Sequence, residues 1–407
     1  MIDSSYYLQR ITICFEHVMD RLLFNTFDLA LLVTIYQCIL FALFLITLKK
    51  GKRQSNILLA LFLLSYAAIP LDTLINFGAA FRQFAMDFSP NVFYIFGMAY
   101  WIEAVLLLFF VRSLIYKNFS LKPADILYFL PFIIMSAHDI HDWHLLNSQT
   151  KLLILEGYQL ANEPVYTRYI NLFRECFRTF CGVLCLVELH RYQKHIKNEF
   201  ADIEAIDLTW LKILVIGFLV IRVQAIITTL GFMTSIDLHI NINYALIGQI
   251  SNFMVMFLIS FLMFYSLGFS SVFKGIENKE KVVEKDPIDL AQVEKIEAFM
   301  REQKPYLNHL LNLENLSMQL QMPARNLSQI INRHFKQNFF EFINRYRIEE
   351  SKHLLQKAEN RKVTMLDIMD QAGFNSKATF NTFFKKSVGL TPTQYRKEQL
   401  GSADLLL

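Results

Sequence analysis

Glycine and proline are scarce in this chain of 407 residues, 13 and 9 in all. Their scarcity excludes collagen-like, loop-rich and low-complexity architectures and leaves long helices with short connections as the default. Charge is scarce too: Asp, Glu, Lys and Arg make up 19% of the residues, against 54% hydrophobic and 14% aromatic. An ordinary cytosolic enzyme is excluded by that balance. Cysteine is limited to Cys14, Cys38, Cys176, Cys181 and Cys185. The set is odd, four of its members lie in apolar stretches, and none has the spacing of a metal site or a disulfide framework, so all five read as reduced packing residues.

What is present divides into two unlike halves. Up to about Phe273 apolar stretches alternate with short polar breaks, whereas from Lys274 to Lys397 charges recur every few residues and apolar residues fall at helical spacing. Leu29 to Leu48 is a run of twenty residues without a charge. At ~1.5 Å per residue it is long enough to cross a hydrocarbon core of ~30 Å. It is too long and too far inside the chain for a cleavable signal, and no basic flank precedes it. Further spans are expected near 56–77, 92–115, 124–137, 173–187, 211–233 and 245–269. That makes seven, of which the fourth is short and holds Pro131, and the fifth is bordered by Arg174, Glu175, Arg178 and Glu188.

With seven spans, eleven basic residues (among them Lys49, Lys52, Arg112, Lys122, Arg191 and Lys212) fall on one side and six, over a greater length, on the other. The positive-inside rule then places the N-terminus outside and the C-terminal half in the cytoplasm. Asp72, Glu103 and Arg222 sit at membrane depth, where an ionisable group is expensive unless paired or wetted. They are the sensing candidates, with Arg222 facing Glu103 or Asp72; the alternative is a fixed structural ion pair or a misplaced span boundary. His138, His141 and His144 recur every third residue among Asp139, Asp142 and Trp143. That spacing suits a zinc or copper site, but Trp and His also gather at a membrane interface for their amphipathic rings alone. The second reading is favoured, and no metal or cofactor is expected.

The second half reads as two helix-turn-helix units. A helix is expected from Pro287, ending at Lys304-Pro305. Leu313, Leu316 and Leu320 then mark a short helix, Met322-Pro323 a turn, and Leu327, Ile330, Ile331 and Phe335 the buried stripe of a second helix. A longer helix from Phe339 to Lys357 separates this unit from its repeat. In the repeat, Met365, Ile368 and Met369 lie on a short helix, Gly373 supplies the turn with positive φ, and Ser376 caps a helix that buries Phe380, Phe383 and Phe384. Thr391-Pro392 starts a last helix. From Met322 to Lys397 there are fourteen Lys and Arg against six Asp and Glu, whereas Ile276 to Gln321 has six against nine. A positive excess that begins with the first outward helix fits a phosphate-binding footprint.

The stretch from Asp367 to Arg396, with Gln371-Ala-Gly-Phe-Asn-Ser-Lys377 and Gly389-Leu-Thr-Pro392 within it, resembles the signature of AraC/XylS-type transcription regulators. Leu327-Ser328, Phe339 to Ile343 and Tyr346-Arg347-Ile348 resemble the preceding part of that domain, so the likeness runs from about Glu294 to Lys397. It implies two recognition helices in successive major-groove segments of double-stranded DNA. By position, Arg325, Ser328 and Gln329 would face bases in the first unit, and Lys377, Ala378, Asn381 and Thr382 in the second. Arg333, Arg345, Arg347, Lys385, Lys386 and Arg396 are the phosphate candidates. Met369 and Ser351 stand where the family usually has alanine, Lys336 where it has glycine, Ile331 where it has phenylalanine, and Pro323 where it has a serine cap.

The expected fold is therefore all-α: a seven-helix transmembrane bundle followed by a soluble AraC-type double helix-turn-helix domain. Its expected parts are an outer tail at 1–28, the transmembrane domain at 29–269, a charged linker at 270–287, the DNA-binding domain at 288–398 and a tail at 399–407. The expected function is a one-component regulator, not an enzyme, in the bacterial inner membrane. Its partners would be DNA, the lipid bilayer and a small-molecule or membrane signal, with a second copy of the chain as a partner that would add avidity. The alternative is a transporter or intramembrane enzyme whose soluble tail docks a partner protein.

Overall fold

A computed structural model describes residues 26–47, 52–157, 165–203, 206–238, 244–269, 289–357 and 363–403. The expected outer tail up to residue 25 and the charged linker at 270–287 lie outside them. The helices are α1 (Thr26–Thr47), α2 (Arg53–Phe77), α3 (Ala79–Phe88), α4 (Ala99–Ile115), α5 (Leu130–Asp139), α6 (Ser148–Glu156), α7 (Val165–Glu199), α8 (Thr209–Leu238) and α9 (Tyr244–Phe269). They are followed by α10 (Leu290–Gln303), α11 (Leu313–Gln319), α12 (Ala324–Arg333), α13 (Phe339–Gln356), α14 (Met365–Gln371), α15 (Lys377–Val388) and α16 (Pro392–Ala403). The chain forms two compact units. One comprises Met1–Leu189 and Thr209–Asn278, the other His190–Leu208 and Lys279–Leu407.

In the first unit α2 packs against α1 and α4, and α9 packs against α1 and α8. Phe62, Tyr66 and Phe218 meet with ring centroids 5.5–6.0 Å apart, in tilted and edge-on arrangements that suit the aromatic quadrupole. Close approach is secured by two glycines. A Cβ on Gly182 of α7 would stand 2.7 Å from the side chain of Leu219, and one on Gly217 of α8 would stand 2.6 Å from that of Leu258. Small residues at such crossings are how apolar helices gain contact where lipid competes for the same surface. Leu43, Ile46, Ile227 and Phe264 point away from the core and are well exposed, as lipid-facing positions would be.

Five helices among the described residues are long and apolar enough to cross a membrane: Asp28–Thr47, Arg53–Phe77, Pro90–Ile115, Thr209–Thr234 and Leu246–Tyr265. These five do not confirm the expected count of seven. The expected fourth span, 124–137, is a tight turn at Pro123–Phe129 followed by the ten residues of α5, whose ~15 Å covers half a hydrocarbon core. The expected fifth lies inside α7, which has the length, 35 residues, but carries Arg174, Glu175, Arg178 and Glu188.

Those charges turn inward. Arg178 Nε donates to Glu103 Oε1 at 2.7 Å, and Arg222 Nη2 donates to the same oxygen at 2.6 Å. Arg178 Nη1 also donates to Glu175 Oε1 at 2.8 Å, while Arg174 and Arg178 lie over the ring of Tyr100. Of the two partners expected for Arg222, Glu103 is therefore the one it has. Asp72 sits elsewhere on α2, against Gly97. Arg178 was legible only as a charge that weakened a span, yet Arg174, Glu175 and Arg178 share one helical face by their spacing.

The three histidines do not converge. His138 Nε2 lies 3.1 Å from Asp142 Oδ2 and His141 Nδ1 lies 2.6 Å from Asp142 Oδ1. The carbonyl of His144 instead accepts from the buried ammonium of Lys151. Residues 140–144 form a π-turn, which breaks the even spacing that a regular helix would have given these rings. No group of three His, Cys, Asp or Glu among the described residues is placed to hold a metal ion.

Removing the carboxylate that two guanidiniums share takes a buried charge partner from Arg222 and leaves Arg178 with Glu175. Glu103→Ala is expected to destabilise the first unit by about 3–5 kcal/mol, seen as a fall in the thermal midpoint of the detergent-solubilised chain. An unchanged midpoint would show that the cluster contributes nothing to stability.

Candidate nucleic-acid interface

The second unit is built by capping and by two small cores. α10 begins at Leu290 with Asp289 as its cap, accepting from Ala291 N at 3.0 Å, rather than at the expected Pro287. It ends at Lys304, which takes the left-handed conformation before Pro305. Asn312 caps α11 and Asn338 caps α13, the latter reciprocated by Glu341. Thr364 and Asp367 form the same reciprocal pair at α14, and Thr391 and Gln394 at α16. Each such cap contributes ~1 kcal/mol.

The first core gathers Val293, Ile296 and Met300 of α10, Leu316 of α11, Leu327 and Ile331 of α12, and Phe339, Phe342 and Ile343 of α13. The second gathers Ile348 and Leu355 of α13, Ile368 and Met369 of α14, Phe380 and Phe384 of α15, and Tyr395 of α16. The first half of α13 thus belongs to one core and its second half to the other. One helix fixes both halves of the domain.

The two turns solve the same problem with different residues. Gly373 has φ +85 and Gln321 has φ +50, each two positions beyond the last residue of its short helix. Glycine adopts that conformation without strain and glutamine does not. Gly373 is also hemmed in, because a Cβ there would stand 2.5 Å from Tyr306 O and 2.8 Å from Leu307 Cα. Lys336, where the resemblance implies glycine, likewise has φ +53. Ser376 caps α15 through a hydrogen bond from Thr379 N, whereas Pro323 offers α12 no side-chain cap.

On α15, Lys377, Ala378, Asn381, Thr382, Lys385 and Lys386 are all exposed. They form one polar face opposite Phe380 and Phe384. On α12, Arg325, Asn332 and Arg333 are exposed and Ser328 and Gln329 half-buried. The hydroxyl of Ser328 accepts from Asn332 Nδ2 at 3.2 Å, so these two polar groups are held together on the outer face. The sequence places Asn332 on this outer face without assigning it a contact, and does not single out the left-handed Gln321. The offset of Gln321, equal to that of Gly373, was the available signal.

Three phosphate candidates are not simple surface cations. Arg347 is 1% exposed. Its guanidinium donates to Tyr306 O at 2.7 Å, Asn308 O at 3.0 Å and Ala201 O at 3.3 Å, and lies over Phe374. Burial pushes it down to about 10 against the pull of Asp202. A group so enclosed cannot reach a phosphate, and the expectation for Arg347 is corrected: it holds backbone. Arg396 is half-buried and donates to Val363 O at 2.8 Å, tying α16 to the start of α14. Arg345 is exposed but stacked among Phe335, Phe342 and Tyr346, which fixes where its charge stands.

Replacing Gly373 by alanine meets both a disallowed φ and backbone atoms that cannot move aside. A loss of about 2 kcal/mol or more is expected. Hydrogen exchange across 365–388 would report it, and protection equal to that of the parent chain would contradict it.

Residues 316–398 match the family model of a helix-turn-helix domain, of AraC type. No curated protein and no solved structure matches the chain. The match begins at α11 and ends in α16, so it takes in both turns, both outward helices and the whole of α13. This C-terminal part of the chain is an AraC-type helix-turn-helix domain.

Proposed function

We propose that the chain is a membrane-bound one-component transcription regulator, which reads DNA through α12 and α15 under the control of a signal received by its apolar helices. The observation that carries this reading is the pair of exposed polar faces set on one rigid domain, in a chain that also has five helices apolar enough to cross a bilayer. Arg, Asn, Gln and Thr on helices of this kind are the groups that match base edges in the major groove. Asn381, Thr382, Lys377 and Ala378 of α15 and Arg325, Ser328 and Gln329 of α12 are assigned to bases. Lys385, Lys386, Arg333 and Arg345 are assigned to phosphates, Arg396 to positioning.

The membrane arrangement follows the distribution of charge. Lys52, Arg53, Arg112, Lys117, Lys122, Arg191, Lys194 and Lys197 lie on the side assigned to the cytoplasm, together with the DNA-binding domain, and the N-terminus lies outside in a bacterial inner membrane. The signal is assigned to the cluster of Glu103, Arg178 and Arg222. The cavity beside it has a volume of about 10 Å³, room for one water. A metabolite does not fit there in this arrangement. What supports a switch is the chemistry of the cluster itself, in which one carboxylate oxygen is shared by guanidiniums from α7 and α8. A second copy of the chain would add avidity to a single-domain reader.

A footprint across the genome in cells carrying the full chain is expected to show a small set of sequence-selective sites. Asn381→Ala should relax discrimination at a particular base pair by ~1–3 kcal/mol. Lys385→Ala should weaken all sequences alike and reduce the salt slope by about one. The absence of any selective site would overturn the proposal.

A further inference from the structure

The turn that follows α7 carries contacts that the DNA-reading faces do not account for. Residues 190–208, the end of α7 and the turn that leads to α8, belong to the second unit although the helices on either side of that turn run on into the first. Phe200 forms an antiparallel bridge with Asn312, and Ala201 N donates to Leu311 O at 3.2 Å. Ala201 is 1% exposed and belongs to the core of the first helix-turn-helix unit. Its carbonyl accepts from two fully buried side chains of α13, Arg347 at 3.3 Å and Asn344 at 3.4 Å. On the far side the turn is held to α7, where Tyr192 Oη donates to Ile206 O at 2.6 Å and Gln193 Nε2 to Asp207 O at 3.0 Å.

We infer that residues 200–202 are a docking peptide for the groove formed by 306–312 and α13 of the DNA-binding domain, through which a displacement of α7 or α8 reaches the helix that joins the two reading units. The occupant is settled by what lies in the groove. Ala201 is enclosed in the core of the first helix-turn-helix unit, and buried Arg347 and Asn344 point donors at its backbone rather than at solvent. If the peptide left, part of a buried guanidinium would lose an acceptor, a costly outcome away from water. None of these contacts involves an outward residue of α12 or α15, so the docked peptide itself covers neither reading face. Docking is therefore the DNA-competent state, and undocking the one that weakens reading. The connectivity permits it: two candidate spans, α8 and α9, separate residue 208 from the linker, so both emerge on the same side if each crosses once.

The inference rests on the proposed DNA reading for its consequence but not for the dock. The test uses the full chain in phospholipid vesicles. In a variant with Phe200→Cys and Asn312→Cys, mild oxidation is expected to yield a disulfide between those two positions, identified by peptide mapping, since paired residues of an antiparallel bridge lie within disulfide reach. The oxidised protein should bind its footprinted DNA site within about threefold of the reduced protein. Ala201→Trp should lower that affinity by about tenfold or more, equivalent to ~1.4 kcal/mol, and raise hydrogen exchange at 306–312, whereas Ala201→Gly should leave both near the parent values. Absence of the disulfide, weaker binding by the linked protein, or an Ala201→Trp variant that binds like the parent would each overturn the inference. If the parent chain itself bound no selective site, the proposed function would fail instead, and the disulfide with the exchange data would decide the dock alone.

Discussion

A guanidinium taken out of water must be given acceptors, and the second unit is arranged around that demand. Arg347 stands in the middle of α13 and donates to three carbonyls from two separate stretches of chain, Tyr306 and Asn308 in one and Ala201 in the other. Its position fixes the turn after α10 against α13, and Phe374 of the second unit lies over the same group. Breaking such an arrangement leaves a buried charge unpaired, which costs several kcal/mol. The same demand recurs in the first unit, where Arg178 and Arg222 share one oxygen of Glu103. In both places arginine ties elements that sequence distance would leave independent.

The consequence for reading DNA is geometric. α13 supplies its first half to one core and its second half to the other, so the outward faces of α12 and α15 are held at a set separation by a single rigid element. Phosphate contacts fix register and base contacts specify, and neither works unless the two helices keep their spacing. The capped starts of α11, α13, α14, α15 and α16 serve the same end, since a frayed first turn would move the outward side chains proposed to read bases.

Much of this was legible in the sequence where local chemistry decides the structure. Ser376, Thr391-Pro392 and Gly373 announce α15, α16 and the turn between α14 and α15, because caps and positive φ depend on a residue's own atoms. The apolar stripes of α12 and α15 follow from helical spacing alone. Other features depend on distant partners and leave no local mark. Arg347 has the sequence context of a surface cation and is buried because carbonyls elsewhere in the chain accept from it. Arg178 and Glu175 weakened the case for a span, although they pair with each other and Arg178 also with Glu103. Of the two expected spans outside the five candidates, one is too short and the other is long but charged, and composition cannot distinguish charges facing lipid from charges facing one another. Gln321 has an unfavourable residue for its φ and takes it because the turn demands it. The role of Ala201 has no sequence signal, being one small residue in a polar turn. The even spacing of His138, His141 and His144 does not carry over into space because a π-turn changes the helical offset between them.

In the proposed arrangement an apolar bundle holds a double helix-turn-helix reader on the face of the membrane that meets the chromosome. The most direct test is the binding of labelled DNA from upstream of the gene to sealed membrane vesicles of the two orientations, prepared from cells containing the full chain. Inside-out vesicles are expected to retain the DNA in a sequence-selective and salt-sensitive manner, and right-side-out vesicles are not. Retention by right-side-out vesicles, or none by either kind, would contradict that arrangement.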